Sequence, residues 1–505
     1  MFTAPDPGRL RLRTAARAVL GIGLAVTACE LAGMPLDASI TGGLAALLAL
    51  FTVTDPTVRR QAVTTAALPA VGLPSLALAA VLHGHHLARD AVFLAVILAG
   101  AWARRWGPRG HALGIFAFMM FFVAQFLRTV PEDLPLVAGA VLIALAVAGL
   151  VRFGLWCIER RFPAAPVPAA PQQRGLRSPT TRLALQVTAA CAVALVAGEA
   201  LSQTRWYWAV AAAWWIFVNT ASRGETLVRG FRRLLGTATG ICVGMLVAVP
   251  LHAATAPTAV LVAVCVFGLF YTAALSYSWM MFFVTVLVSL LYGLVGVLHP
   301  GLLQLRLEQT AIGALGAVVA VALVLPVTTH AATDAWIHRA LQCVHRCAAL
   351  AADRLAGEQD ADPAPRVVEL EQLLGRVRVS LAPLVHPLNP LRTRKKRARE
   401  VLVLLDDCAR QVRGLADLAA DTSAAHDERL AAASRRVETA IETLLVPAAA
   451  GMNAPTAATG RAAEPVAARH PGTDRALAHL HGLETALHSL AAPLQAGHRP
   501  VARAA

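Results

Sequence analysis

The sequence predicts an all-α polytopic membrane protein, with twelve transmembrane helices in two six-helix repeats and a C-terminal cytoplasmic helical domain. Three observations carry that expectation. Of 505 residues, 57% are hydrophobic and only 15% charged, against about 25% charged in soluble proteins. Apolar runs long enough to cross a bilayer recur along the first two thirds of the chain. The polarity then changes: residues 1–329 hold 23 Lys+Arg and 11 Asp+Glu, whereas residues 330–505 hold 22 and 19 at near-soluble density.

The candidate spans fall near 15–34, 36–54, 62–82, 88–103, 111–130 and 134–157, then 183–201, 206–222, 231–251, 256–275, 277–297 and 307–327. The fourth is the weakest, because only Ala91 to Ala103 is free of charge, short of the ~20 residues a span needs. The tenth and eleventh merge into one uncharged stretch, long enough to cross twice with a turn near Ser276–Ser278. Charge placement supports twelve. With the N-terminus inside, most arginines fall on the cytoplasmic side, and the outer side keeps only Arg89, Arg128, Arg205 and Arg306. The formal charge of +15 therefore reads as membrane orientation, and nucleic-acid binding is not expected.

The two sets of six spans look like copies. Arg13 and Arg182 open their halves, and Glu30 and Glu199 lie the same distance further on. Six spans return the chain to its starting side, which makes the repeats parallel. The domains expected are a first repeat over 1–159, a Pro/Ala/Arg-rich cytoplasmic linker over 160–181 and a second repeat over 182–329. A cytoplasmic helical domain follows over 330–446, then a flexible linker, short helix and tail over 447–505. Helical spacing marks 331–357, 366–382, 396–421, 425–446 and 472–492, as in Leu402, Leu405, Val412 and Leu415. The protein is expected in the cytoplasmic membrane with both termini inside. LAVTAC (24–29) mimics a lipoprotein signal, but cleavage there would destroy the first span of a repeat.

The densest signal runs from Trp206 to Val247. An apolar run enters through Trp206 and Trp208, breaks at the charged turn SRGETLVRGFRRLLGT (Ser222 to Thr237), and resumes with Gly236, Gly240 and Gly244 four residues apart. Small residues at that spacing let a neighbouring helix approach closely. This stretch resembles the second-half signature of the fusaric-acid-resistance (FUSC) family, to which the aromatic-acid exporters belong. The segment from Pro5-Asp6-Pro7-Gly8-Arg9 through Arg13 and Arg17 to Asp55–Arg60 resembles that family's first half more loosely. A more distant likeness is to the plant aluminium-activated malate channels, with one six-span unit and a helical tail. The resemblance implies twelve spans in two halves and export of aromatic or other organic acids.

The candidate site residues follow from charge and position. Arg229, Arg232 and Arg233, with Arg59 and Arg60, would form an inner mouth that gathers carboxylates, since guanidinium matches a carboxylate with two bonds. The same arginines also serve orientation and lipid phosphate contact. Glu30 and Glu199 are carboxylates in apolar runs and candidates for proton coupling. Asn219 lies inside a span, and the deep Trp214 and Trp215 are placed to stack an aromatic substrate. Trp206, Tyr207, Trp208, Tyr277 and Trp279 read as an interfacial belt, and Arg152 as a snorkelling side chain.

Enzymatic chemistry is not expected. The only lysines, Lys395 and Lys396, follow no glycine-rich loop, so there is no Walker A site. Cys343 and Cys347 share a helix face near His345, but two thiols without further ligands make no metal site. RTRKKRAR (Arg392–Arg399) reads as a solvated helix start. No catalytic residue, metal or cofactor is assigned; the expected partners are the lipid bilayer and an organic anion, with a homo-oligomer and an accessory envelope subunit left open. The function expected is export of aromatic or related organic acid anions by a proton-coupled mechanism. The alternatives are a passive anion channel gated by the cytoplasmic helical domain, or a membrane assembly protein that transports nothing.

Overall fold

The structure is a computed structural model describing residues 9–154, 178–218, 220, 223–251, 254–325, 329–355, 358, 360–385, 392–421, 428–445 and 471–495. Among them every regular element is a helix. The chain forms two compact units, one ending at Val327 and one beginning at Thr328. Asn219, nearly all of the linker and the stretch after the sixteenth helix lie outside the described residues.

Among the described residues the first unit holds twelve apolar helices: α1 Leu10–Leu31, α2 Leu36–Thr52, α3 Val58–Val81, α4 His86–Ala103, α5 Gly107–Leu127, α6 Leu134–Gly154, α7 Pro179–Leu201, α8 Tyr207–Phe217, α9 Arg223–Ala248, α10 Thr255–Ala273, α11 Tyr277–Leu294 and α12 Pro300–Leu323. By length and composition, nine segments among the described residues can cross a membrane; one of them, His86–Leu127, runs 42 residues through α4 and α5. Two shorter apolar helices, α2 and α8, complete the set. The weak fourth run is thus the 18-residue α4. It parts from α5 at a 3-10 turn, Arg104–Trp106. Gly107 follows at φ +76°, a conformation open to glycine because it lacks Cβ.

Packing repeats between the halves. In the first half α3 lies along α5, α2 along α6, and α1 against both α2 and α6. In the second, α9 lies along α11, α8 along α12, and α7 against both α8 and α12. The halves meet reciprocally, α4 on α7 and α1 on α10.

The glycine stripe predicted from sequence has a partner, α11. A Cβ on Gly240 would stand 2.7 Å from Thr285, and one on Gly244 would stand 2.6 Å from Ser289. A Cβ on Gly236 would collide with the carbonyl of Ser278. Such contact is what holds helices together in lipid, where burial of apolar surface gives no drive.

One expectation is corrected here. Arg152 does not snorkel to the interface; it is 5% exposed. Its Nη1 donates to Val53 O at 3.0 Å and its Nη2 to Ala49 O at 2.9 Å and Leu50 O at 3.2 Å. These lie in the last turn of α2 and just after it, where helix carbonyls run short of backbone donors and carry the negative end of the helix dipole.

Among its described residues the second unit has five helices: α13 Thr329–Leu355, α14 Ala364–Val385, α15 Arg392–Asp421, α16 Glu428–Leu445 and α17 Pro471–Gln495. Their apolar stripes meet in one core that includes Leu341, Leu373, Leu405, Val412, Leu415, Ile441 and Leu487. The Cys343 thiol donates to Arg366 O at 3.4 Å, and no group of three or more metal-ligating side chains occurs among the described residues.

Two outcomes test this packing. Gly240→Leu should lower the thermal midpoint of the purified protein by several degrees, since overpacking costs about 1–3 kcal/mol. Gly149→Leu, facing open space, should leave it unchanged. Burial pushes the Cys408 thiol up to about 12, so it stays protonated and resists alkylation throughout pH 6–10; rapid labelling of the folded protein at pH 8 would refute the packing of α15.

Candidate functional site

The site is organised by α8. Its sequence, YWAVAAAWWIF, is apolar on every face, and from Trp206 to Val218 the side chains are buried apart from the half-buried Trp208 and Trp215. The alanines bring α12 in close: a Cβ on Gly313 would stand 2.6 Å from Ala212. Eleven residues make a helix about 16 Å long at 1.5 Å per residue, half the ~30 Å of a bilayer core. At Val218 the chain turns extended, with ψ 116°. The carboxyl end of α8 therefore lies inside the bundle, and its carbonyls need donors there.

Side chains supply them. Arg104 Nη1 donates to Phe217 O at 3.3 Å, and the Thr220 hydroxyl donates to the same oxygen at 3.2 Å. The Tyr277 hydroxyl donates to Trp215 O at 3.3 Å. Behind Tyr277 stand two further cations. The Arg229 guanidinium lies 4.0 Å from the centroid of the Tyr277 ring. Arg233, 7% exposed, donates from Nη1 to the Tyr277 hydroxyl and to the Met281 sulfur, both at 3.1 Å. Arg104 is also within electrostatic reach of Arg229.

Charge does not balance here. A helix carboxyl end carries roughly −0.5 charge, and Glu225, in the first turn of α9, adds one negative charge. Arg104, Arg229 and Arg233 bring three positive ones. Arg229 Nε and Arg233 Nε are buried without a hydrogen-bond partner among the described residues. Unanswered donors in a low-dielectric interior are costly, and an anion would satisfy them. Arg104 also lines a narrow slot with His111, Val187 and Trp214, which admits little more than a water. Trp214 Nε1 is buried there without a partner.

Aromatic side chains fill the interface between the halves beyond the slot. Trp214 stacks on Phe118 at 4.5 Å and Phe93 on Phe121 at 4.6 Å. Phe122 and Phe126 meet Tyr207 and Trp208 edge to face. The belt reading is corrected for Trp206 and Tyr207, each 2% exposed, and for Tyr277, 9% exposed: they pack against the other aromatics and against arginines, which removes them from any lipid surface. Trp279 is 45% exposed, as a belt residue would be.

The other candidates scatter. Arg59 and Arg60 are exposed, and Arg232 and Trp215 are half-buried. Glu30 is exposed on α1. Glu199 is placed differently: its carboxylate accepts from Arg89 Nη2 at 2.7 Å across the junction of the halves. Arg89, 4% exposed, also pairs with Asp90 and lies 4.4 Å from the centroid of the Trp206 ring. Sequence reasoning missed Arg89 and Arg104 as site residues by reading both as orientation charges. Their positions at the ends of the fourth span were the available signal.

Residues 191–341 match the family model described as fusaric acid resistance protein-like. The match covers half of α7, all of α8 to α12 and the start of α13, including every residue of the cation cluster except Arg104. No curated protein matches the chain. The looser first-half likeness lies outside the matched residues. Over residues 191–341 the chain is therefore similar to the fusaric acid resistance protein-like family, and its many apolar helices are those of a multi-pass membrane protein.

Proposed function

We propose that this protein exports aromatic or related organic acid anions across the cytoplasmic membrane, coupled to protons. The observation that supports this most is the gathering of three guanidiniums, Arg233 buried and Arg104 and Arg229 half-buried, around the carboxyl end of α8. Broken helices whose ends meet inside the membrane are the usual place for a transported ion. In this reading Arg104, Arg229 and Arg233 hold the carboxylate, Trp214 and Phe118 face its ring, and Arg232, Arg59 and Arg60 gather anions at the inner surface.

The twelve helices of the first unit then span as two parallel six-helix repeats, and the second unit is cytoplasmic. The recurrent pairings within each half and the reciprocal α1–α10 and α4–α7 contacts support the repeats. The slot is lined from both halves, so widening it for an anion would need the halves to separate. The Arg89–Glu199 pair ties them together, so protonation of Glu199 would loosen it and couple the gradient to opening. Glu30, exposed and away from this junction, contributes little.

Efflux of benzoate from proteoliposomes tests the reading. Arg229→Gln should slow it about 10–100-fold, the loss expected for a charged hydrogen bond worth about 1.5–3 kcal/mol. Absence of benzoate flux in the unaltered protein would overturn it, and an ohmic current in its place would make the protein a channel. Glu199→Gln should leave flux that no longer responds to an imposed pH gradient; a wild-type response in that variant would remove Glu199 from the coupling.

A further inference from the structure

We infer a second anion site inside the second half, built on Arg306 and separate from the cluster at the end of α8. The inference rests on the transport reading above and extends the route of the anion. Arg306 lies in the second turn of α12 and is 5% exposed. Its guanidinium lies 3.9 Å from the centroid of the Trp208 ring. Nε and Nη1 are both buried without a hydrogen-bond partner among the described residues. Among the described residues no carboxylate comes within ion-pair distance of it. Glu308, two positions on, accepts from Gln304 at 2.9 Å, and Glu199 is taken by Arg89.

The surroundings lack negative charge. Tyr292 and Tyr207, 3% and 2% exposed, stand within electrostatic reach of Arg306. Arg205 donates to the Tyr207 hydroxyl at 2.9 Å and sits 5.8 Å from the centroid of the Tyr292 ring. Arg233 of the first cluster is within electrostatic reach on the other side. A guanidinium this deep in an apolar bundle is expensive to keep without an acceptor, and stacking on an indole offsets only part of that. A carboxylate supplies the acceptor, and an aromatic ring attached to it would meet Trp208 and Tyr292.

The site belongs to one half only. Counting back the 169 residues from Glu199 to Glu30 puts Val137 where Arg306 stands and Thr64 where Arg233 stands. Both are buried in α6 and α3. The anion would therefore pass two stations in the second half, first Arg229 and Arg233, then Arg306, while the first half serves as the partner that moves. The ligand class is a small monovalent carboxylate.

The test is equilibrium dialysis of the purified full chain in lipid nanodiscs against radiolabelled benzoate, with benzoate flux measured in parallel proteoliposomes. Two benzoates per chain are expected. Arg306→Gln should bind one and lose at least tenfold in flux, whereas Arg306→Lys should keep both with the second weakened roughly tenfold, since the charge remains but the planar fork is lost. Benzoate should also change the tryptophan fluorescence of the unaltered protein, and Trp208→Phe should abolish the part that saturates with the second site. Fewer than two benzoates on the unaltered protein would overturn the inference, as would an unchanged count and flux in Arg306→Gln. Should that variant not fold, the wild-type count and the Trp208→Phe comparison decide. The transport reading is judged apart from this, by wild-type flux and by Arg229→Gln.

Discussion

The carboxyl end of α8 stops inside an apolar bundle, and most of what surrounds it follows from that. Lipid offers no donors, so each carbonyl left over at a helix end must find one within the protein. Three helix ends in this fold meet the requirement in different ways. At α2 one guanidinium, Arg152, serves three carbonyls. At α12 a neutral amide suffices, with Gln186 Nε2 donating to Val324 O at 2.8 Å and Leu325 O at 3.1 Å. At α8 the donors are Arg104, Thr220 and Tyr277, and two more arginines stand behind Tyr277. Capping explains the first arginine there, while the other two engage Tyr277 by its ring and its hydroxyl and keep buried donors unanswered among the described residues.

The junction between the halves shows how such a charge cluster can coexist with a stable bundle. It is filled by rings from both sides, Phe93, Phe118, Phe122 and Phe126 against Trp206, Tyr207, Trp208 and Trp214. Rings bury large area and tolerate a cation on their faces. Four buried or half-buried arginines use this: Arg89 on Trp206, Arg205 on Tyr292, Arg229 on Tyr277 and Arg306 on Trp208. Aromatic residues here solvate cations where water is excluded. Arg89 to Glu199, an ion pair between the halves, keeps its carboxylate partly open, at 32% side-chain exposure. A proton can reach it without crossing the core.

The helices were legible because lipid makes sequence and structure nearly the same statement: an apolar run must be a helix. Even the doubtful fourth run proved helical, since its charged first turn, with Arg89 and Asp90, neutralises itself and pairs with Glu199. The amphipathic helices after Thr328 were legible for the opposite reason, their charges marking one face. Depth was not legible. Trp206 and Tyr207 have the composition of an interface anchor, and only the short length of α8 and its contacts with α5 place them inside. Arginine roles were hidden by the same arithmetic that made orientation readable: counting Arg104 and Arg306 by side of the membrane says nothing of where each guanidinium ends. Arg152 is the plainest case, since a helix-end arginine is expected to reach for water and this one reaches inward to α2.

The glycine stripe ties the packing to the chemistry. Gly236, Gly240 and Gly244 let α9 lie against α11 with only small α11 side chains such as Thr285 and Ser289 between them, and the first of these contacts falls on Ser278, next to Tyr277. That contact fixes Tyr277 under Arg229 and Arg233, which share its ring and its hydroxyl. A bulkier residue at the stripe would push α11 outward and take the tyrosine with it, so the donors would no longer converge. Preorganised donors do not have to be rearranged when a charged ligand arrives. The α9–α11 pair thus holds the donors of the second half in register before any ligand arrives.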